Sequence, residues 1–111
     1  MIRRAKVFYD KLLAGYLEKT DNGYKFTYDK DYLIRTNPKP ISLTMPISSY
    51  PYNSRILFPF FDGLIPEGWL LNIAMDYWKF KSTDRFELLV NLCRDTIGAV
   101  TVFGEEEEEN G

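Results

Sequence analysis

The sequence predicts an α+β fold, a small and mostly antiparallel β-sheet with two main helices in the C-terminal half. Short alternating runs separated by turn-forming residues fill the N-terminal third. Asp21-Asn22-Gly23 lies between two of these runs and is a strong hairpin signal, because Asn-Gly accepts positive φ at little cost. Apolar residues after Pro66 and after Asp84 recur at helical spacing. The 111 residues suffice for one domain with one modest core.

Five short segments are predicted as strands. In Tyr24–Tyr28 the three aromatic side chains share one face, and Gly15 marks a bulge or a close packing contact. The last strand is apolar at nearly every residue, so we predict that it is central in the sheet. Ser48–Ser54 is predicted as a mobile polar loop. The predicted strands are Lys6–Tyr9, Leu13–Lys19, Tyr24–Tyr28, Ile41–Leu43 and Ala99–Phe103.

The first predicted helix runs from Pro66 to about Phe80 and carries two apolar faces. One face gathers Leu70, Ile73, Tyr77 and Phe80, with Trp69 at its edge, and the other gathers Leu71, Met75 and Trp78. A surface helix normally needs one apolar stripe. The second face must therefore be covered by another element or form an interface.

The second predicted helix begins after Asp84, which can cap it together with Glu87 three residues later. Its apolar face is formed by Phe86, Leu89, Val90 and Cys93.

The stretch Phe58–Trp69 combines large apolar side chains with two prolines and two glycines. Proline fixes φ and glycine permits unusual backbone geometry. The stretch is therefore predicted to be a rigid, partly buried turn that leads into a helix at Pro66, since proline is well tolerated at the first helical position. Two interpretations stay open: a packed core corner, or a shaped loop that presents Trp69 to a partner.

The composition excludes several kinds of active site. The sequence holds no histidine and one cysteine, so Ser-His-Asp, Cys-His and two-His metal chemistry are excluded, and a structural zinc site lacks its usual ligands. It contains no Gly-x-Gly-x-x-Gly motif and no Walker-type loop. Paired carboxylates could act as acid and base, but the candidates are mostly typical of turns and caps. We predict no enzymatic activity, no cofactor and no metal.

A cytoplasmic location is expected from three features. No apolar run approaches the ~20 residues that span a bilayer, and the N-terminal residues lead into strand-like sequence without the apolar region of a signal peptide. The single Cys93 excludes an internal disulfide and suits a reducing compartment.

The net charge of −2 hides an asymmetry. Five of the 16 acidic residues form the run Glu105–Glu109, and the remaining chain, with its 14 basic residues, is net positive. Residues 105–111 are therefore predicted to be an acidic, disordered tail that follows a single domain over residues 1–104. Contact of the run with a basic partner surface is the alternative.

Five motifs together resemble one protein family. They come in the order seen in the N-terminal subdomain of HipA-like proteins, bacterial toxin kinases with an antitoxin partner, and the resemblance covers Lys6 to Phe103. The motifs are Tyr24–Tyr28, Pro40–Pro46, Phe60–Gly68, Phe86–Leu89 and Arg94–Val100.

In that family the region resembles a cap on a much larger serine/threonine kinase, and no residue of the nucleotide site or catalytic loop can be matched here. In split members a small protein of this type accompanies a shortened kinase and neutralises it. The resemblance therefore implies a non-catalytic toxin–antitoxin component that binds and regulates a HipA-like kinase on a separate chain. A DNA-binding antitoxin is a candidate third member. An N-terminal fragment of a full-length HipA-like kinase is the alternative.

Trp69 is the predicted anchor for the partner, because buried tryptophan is enriched at interface hot spots. Leu71, Met75 and Trp78 are the second choice, on the other apolar face of the same helix. The competing interpretation is that Trp69 fills the core of its own domain.

The stretch Phe58–Trp69, which we call the aromatic corner, adds Phe61, Asp62 and Glu67 to the predicted partner-binding set. The two carboxylates could compete for metal or phosphate contacts at a kinase site. As structural alternatives, Asp62 fits a turn, and Glu67 fits the first turn of a helix, where the macrodipole favours a negative charge. Residues predicted to shape the backbone are Gly63, Pro66, Gly68, Asp95 and Gly98.

A single-stranded nucleic-acid-binding module is the alternative from another class. Arg3, Arg4 and Lys6 flank the sheet, and the aromatic face of Tyr24–Tyr28 could stack bases. Against it, three aromatic side chains on one strand face more often form a core, and the acidic run would repel phosphates.

Overall fold

A five-stranded antiparallel sheet organises the computed structural model, which describes residues 3–65, 84–92 and 99–105. Neighbouring strands follow the order β4-β3-β2-β1-β5, and all four pairings are antiparallel. The predicted α+β class is confirmed. The strands are β1 (Arg4–Tyr9), β2 (Leu12–Thr20), β3 (Gly23–Tyr28), β4 (Tyr52–Ser54) and β5 (Val100–Glu105), and the described helices are α1 (Lys30–Leu33), α2 (Pro59–Asp62) and α3 (Arg85–Leu92).

The first three strands form an antiparallel meander, in agreement with the predicted antiparallel sheet. Asp10 and Lys11 connect β1 to β2 with φ of 48° and 71°, as a type I′ hairpin turn requires. Asp21 and Asn22 connect β2 to β3, and Gly23 pairs with Thr20 across the hairpin. The predicted bounds of these three strands differ from the observed ones by one or two residues.

Two glycines let the strands approach closely. A Cβ atom on Gly15 would lie 2.4 Å from the carbonyl oxygen of Thr27, so no side chain fits there. The β1–β2 register also shifts between Val7 and Phe8, opposite Gly15 and its neighbour, so both predicted roles of Gly15 are confirmed. Gly23, with φ of +150°, would place a Cβ 2.1 Å from the carbonyl oxygen of Ser54 on β4.

One face of the sheet forms the core together with α2 and α3. The predicted aromatic face of β3 is confirmed, because Phe26 and Tyr28 are buried and Tyr24 packs half-buried beside them. The Phe26 ring contacts Phe61 of α2, and the Tyr24 ring contacts Phe86 of α3. Burial of these apolar surfaces is the main driving force that joins helices to sheet.

The segment Pro40–Pro46 is held by tyrosine hydroxyls. Tyr28 donates to the carbonyl of Met45 and accepts from the backbone N–H of Ile41. Tyr32 donates to the carbonyl of Lys39 (2.6 Å), and Tyr52 donates to the carbonyl of Pro46 (2.7 Å). The prediction of a strand over Ile41–Leu43 is therefore wrong. The N–H of Ile41 bonds to a side chain, and the segment makes one isolated bridge, between Ser42 and Met45.

Two further strand predictions need correction. The last strand lies at one end of the described sheet order, next to β1, and is not central. Val100 and Val102 are buried while Phe103 is exposed, so an apolar sequence here reflects one buried face and one open apolar face. Within the predicted loop Ser48–Ser54, residues Tyr52–Ser54 form β4 and pair with β3.

Helix α3 confirms the second predicted helix and its cap. The side chain of Asp84 accepts a hydrogen bond from the backbone N–H of Glu87 at 3.1 Å. Phe86, Leu89 and Val90 are buried, as predicted. The predicted helix from Pro66 to Phe80 and Cys93 lie outside the described residues.

The expected boundary at residue 104 falls within β5, which extends to Glu105, the first residue of the predicted tail. Residues 106–111 lie outside the described part of the chain. Over the part of the chain that the structure describes, no helix has the length and apolar character needed to cross a membrane.

Candidate functional site

The aromatic corner that the sequence analysis singled out forms a short helix against the sheet. Phe58 precedes α2, and Pro59 occupies its first turn, where a missing N–H costs little. The backbone N–H of Asp62 donates to the carbonyl of Phe58 at 2.9 Å. Phe58, Phe61 and Ile65 are buried, so the corner belongs to the core on one side.

Phe61 is fully buried, with 0% of its surface exposed. Its ring lies 5.7 Å from that of Phe26, 6.3 Å from that of Phe58 and 5.2 Å from that of Phe60, measured between centroids. Phe61 is therefore a core residue of the domain, and its place in the predicted partner-binding set stays a prediction.

Asp62 is the one predicted partner-binding carboxylate among the described residues. Its Oδ1 lies 2.7 Å from Nε of Arg85, and 42% of its side chain is exposed. The pair ties the end of α2 to the beginning of α3. Asp62 therefore has a structural partner, while its exposed part remains accessible from outside.

Gly63 follows directly after α2, as expected of a residue that shapes the corner. Its backbone N–H donates to the carbonyl of Pro59 at 2.9 Å. The φ of −68° is open to any residue, but a Cβ would lie 3.3 Å from the same carbonyl oxygen, which is a tight contact.

A second ion pair joins β2 to the cap of α3. Nζ of Lys19 lies 3.2 Å from Oδ1 of Asp84. Burial raises the pKa of the neighbouring Tyr24, and the negative charge of Asp84 acts in the same direction. With the Asp62–Arg85 pair, this contact links α2, α3 and the sheet at their partly exposed edge.

The remaining predicted site residues lie outside the described residues, and their roles stay predictions. They are the partner-binding candidates Glu67, Trp69, Leu71, Met75 and Trp78 and the backbone-shaping candidates Pro66, Gly68, Asp95 and Gly98.

The structure also presents a surface that the sequence analysis did not identify. We call it the open face, the side of the sheet opposite α2 and α3. None of its residues belongs to the buried core. It consists of Arg4, Lys6 and Phe8 on β1 with their cross-strand partners Leu13, Tyr16, Glu18, Thr101, Phe103 and Glu105.

Phe8 and Phe103 form the apolar centre of the open face. Their ring centroids are 5.6 Å apart at an interplanar angle of 90°, a favourable edge-to-face geometry. Phe8 stands opposite Leu13 on β2 and Thr101 on β5. Phe103 remains 40% exposed.

Paired charges border this apolar centre. Glu105 lies between Arg4 and Lys6, with N–O distances of 3.4 and 3.5 Å. The guanidinium carbon of Arg4 lies 4.1 Å from the centroid of the Tyr16 ring, a cation–π contact. Opposite charges are thus matched within the face.

One sequence signal could have revealed part of the open face. In β1, polar or aromatic residues alternate with the buried Ala5 and Val7, which is typical of a strand with one face uncovered. Phe103 was assigned to a central strand because the pairing of β5 with β1 cannot be read from the sequence.

The aromatic strand face proposed for base stacking is turned inward. Phe26 and Tyr28 are buried against α2 and the segment Pro40–Pro46. The core interpretation of Tyr24–Tyr28 is therefore confirmed, and this strand offers bases no stacking surface. Within residues 3–65, 84–92 and 99–105, no group of three or more acidic, histidine or cysteine side chains could hold a metal ion.

Comparison with known proteins assigns the family. The model of the HipA N-terminal domain matches residues 5–103. The chain belongs to the HipA N-terminal domain family. In solved structures, it is similar to the N-terminal domain of the HipA toxin, with a TM-score of 0.69, 29% identity and coverage of 97% of both chains. The HipA resemblance seen in the sequence is thus confirmed. The matched unit is the N-terminal part of HipA and lacks the kinase catalytic region.

Two relatives show this HipA unit in chains of different length. An uncharacterized protein of Haemophilus influenzae is 34% identical over 107 residues, which cover 96% of this chain and 97% of the relative. A putative kinase of Sinorhizobium fredii is 28% identical over 108 residues, which cover 96% of this chain and 26% of that kinase. The chain therefore spans about a quarter of the length of the kinase relative.

Proposed function

We propose that this chain is a non-catalytic toxin–antitoxin component that binds a HipA-like serine/threonine kinase on a separate chain and restrains it. One observation carries the proposal. The same unit makes up 97% of the Haemophilus relative and 26% of the putative Sinorhizobium kinase. It thus exists both nearly alone and joined to a much larger region.

A separate copy of the unit must bind that larger region through surface contacts alone. In a single polypeptide, a short flexible linker keeps the unit near the kinase at an effective concentration of about millimolar. The linker itself makes none of the contacts between the two. A separate unit with the same fold can therefore occupy the same place on a kinase, provided that its surface contacts are strong enough.

The chain's own contribution is binding and not catalysis. The matched family unit is the N-terminal domain of HipA, and the kinase portion of the complex would supply nucleotide binding and phosphoryl transfer. We expect the complex in the cytoplasm, and a DNA-binding antitoxin is a further candidate member.

The proposed contacts include Trp69 as anchor, with Leu71, Met75 and Trp78 beside it. Glu67 and the exposed part of Asp62 are the acidic candidates. Since Asp62 is already paired with Arg85 at 2.7 Å, it would contact a partner only through its free oxygen or by giving up this pair.

Coexpression tests restraint of the kinase. A HipA-like kinase from the source organism, expressed alone, should arrest growth and phosphorylate itself. Coexpression of the chain should relieve the arrest and lower autophosphorylation of the purified kinase. If growth arrest and autophosphorylation stay unchanged when this chain is present in saturating excess over the kinase, the proposal is contradicted.

A second candidate function is favoured by the Sinorhizobium relative, in which the matched region is about a quarter of a putative kinase. The sequence would then be the N-terminal part of a longer kinase. An immunoblot of cells from the source organism distinguishes the two, because the first predicts a band near 13.0 kDa and the second a band several times larger.

A further inference from the structure

We infer that the open face, with Phe8 and Phe103 at its centre, is a docking surface for the HipA-like kinase. This inference rests on the proposed function and adds a surface to it that is separate from the predicted Trp69 anchor. The occupant is an apolar patch on the kinase.

The match to the family domain ends on the open face. The HipA N-terminal domain matches up to residue 103, and Phe103 lies on β5, at one end of the described sheet order. In a HipA protein the chain continues from this position into the rest of the polypeptide. The following region therefore starts beside Phe103 and its edge-to-face partner Phe8.

The opposite face of the sheet is already occupied by α2 and α3. Phe26 on that face contacts Phe61 of α2, and Tyr24 contacts Phe86 of α3. These contacts belong to the core of the domain itself. A kinase that packs broadly on the sheet would therefore meet the open face.

The chemistry of the open face also suits a partner. Interfaces commonly have an apolar centre and a polar rim. Here the Phe8–Phe103 pair supplies the centre, and the rim carries charges that are already paired, with Glu105 between Arg4 and Lys6. An apolar partner patch can cover the two rings without leaving any of these rim charges unpaired and buried.

Titration calorimetry with a purified HipA-like kinase of the source organism tests the inference. Phe103→Lys places a charge in the proposed centre and should weaken binding by at least about tenfold, as truncation of an interface anchor does. Leu43→Lys is the matched control, because Leu43 is 95% exposed and lies in the connection between α1 and β4. It should bind like the unchanged protein.

A crosslinking measurement guards against a folding defect in Phe103→Lys. Benzoylphenylalanine in place of Phe103 keeps an aromatic ring there and should crosslink to the kinase on illumination. The same group in place of Leu43 should not. Crosslinking from position 43 alone would overturn the inference.

The outcomes separate this inference from the proposed function. If the unchanged chain binds the kinase and Phe103→Lys binds it with the same affinity, the docking role of the open face is overturned and the proposed function stays intact. Absence of binding by the unchanged chain overturns both. Weaker binding of Phe103→Lys at unchanged melting temperature supports both.

Discussion

Tyr28 connects the sheet to the segment that follows α1 through a single hydroxyl group. It donates to the Met45 carbonyl and accepts from the Ile41 N–H, and its ring stacks on Tyr32 at 6.2 Å. Tyr28→Phe leaves both backbone groups without this partner in a buried site. We expect a loss of about 1–3 kcal/mol in the free energy of unfolding. Urea unfolding measures it, and Tyr50→Phe, at a 78% exposed residue, is the control that should change little.

The same tyrosine makes stability depend on pH in the alkaline range. Burial raises the pKa of Tyr28 to about 12, although the hydrogen bond from the Ile41 backbone acts in the opposite direction. An unfolded tyrosine ionises near pH ~10, so the folded state holds this proton more tightly. The contribution of Tyr28 is present below pH ~10 and is lost as pH rises toward 12.

Comparison of unfolding free energies between pH ~10 and ~12 tests the linkage, since two pKa units correspond to roughly 2–3 kcal/mol. The unchanged protein should lose more stability over this range than Tyr28→Phe. Parallel curves for the two proteins would contradict the assignment to Tyr28.

Substitutions of Phe61 and Trp69 distinguish a core residue from a residue that anchors the kinase. Phe61→Ala should lower the free energy of unfolding by about 3–5 kcal/mol, because Phe61 is fully buried among aromatic rings. Trp69→Ala should leave the melting temperature nearly unchanged and cost about 2–4 kcal/mol of kinase binding. Calorimetric unfolding and titration measure the two quantities, and equal losses of stability would contradict the anchor role of Trp69.

At the scale of the element, Asp84 determines where α3 begins. Its Oδ2 accepts from the Glu87 N–H and its Oδ1 pairs with Lys19. Asp84→Ala removes both contacts and should cost about 1–2 kcal/mol, of which the cap accounts for about 1. Asp84→Asn can still cap the helix and loses mainly the half-exposed ion pair, worth about 0–1 kcal/mol. Urea unfolding compares the two variants, and equal losses would show that the cap contributes nothing.

Elements with local signals were predictable from the sequence. The Asp10–Lys11 and Asp21–Gly23 turns and the cap at Asp84 each depend on residues that are adjacent in the chain. Ile41–Leu43 is not a strand because the N–H of Ile41 bonds to the hydroxyl of Tyr28, 13 residues earlier, and the carbonyl of Ser42 accepts from the nearby N–H of Met45. Propensity carries no information about such long-range pairing.

The position of β5 could not be derived from local pattern either. Its apolar composition is equally compatible with a central strand and with an outer strand whose second face is apolar. Its pairing with β1 places Phe103 diagonal to Phe8. This long-range contact creates the open face, which explains why the sequence analysis missed that part of the candidate site.

At the scale of the whole molecule, the sheet separates two functions. One face holds the domain together through the Phe26–Phe61 contact and the helices, and on the other face Phe103 stays 40% exposed beside Phe8. In the putative Sinorhizobium kinase, the region similar to this chain is joined to a much larger remainder, and the proposed function takes its context from that arrangement. The site residues on the first predicted helix depend on that context and stay predictions.

The most direct test of the central claim is titration calorimetry of the separate chain into a purified HipA-like kinase of the source organism. Saturable binding with one chain per kinase is the predicted result, with Phe103→Lys binding more weakly and Leu43→Lys binding equally well. No measurable heat and no complex on size-exclusion chromatography at concentrations up to about millimolar, the effective concentration of a linked domain, would contradict a role in restraining a separate kinase.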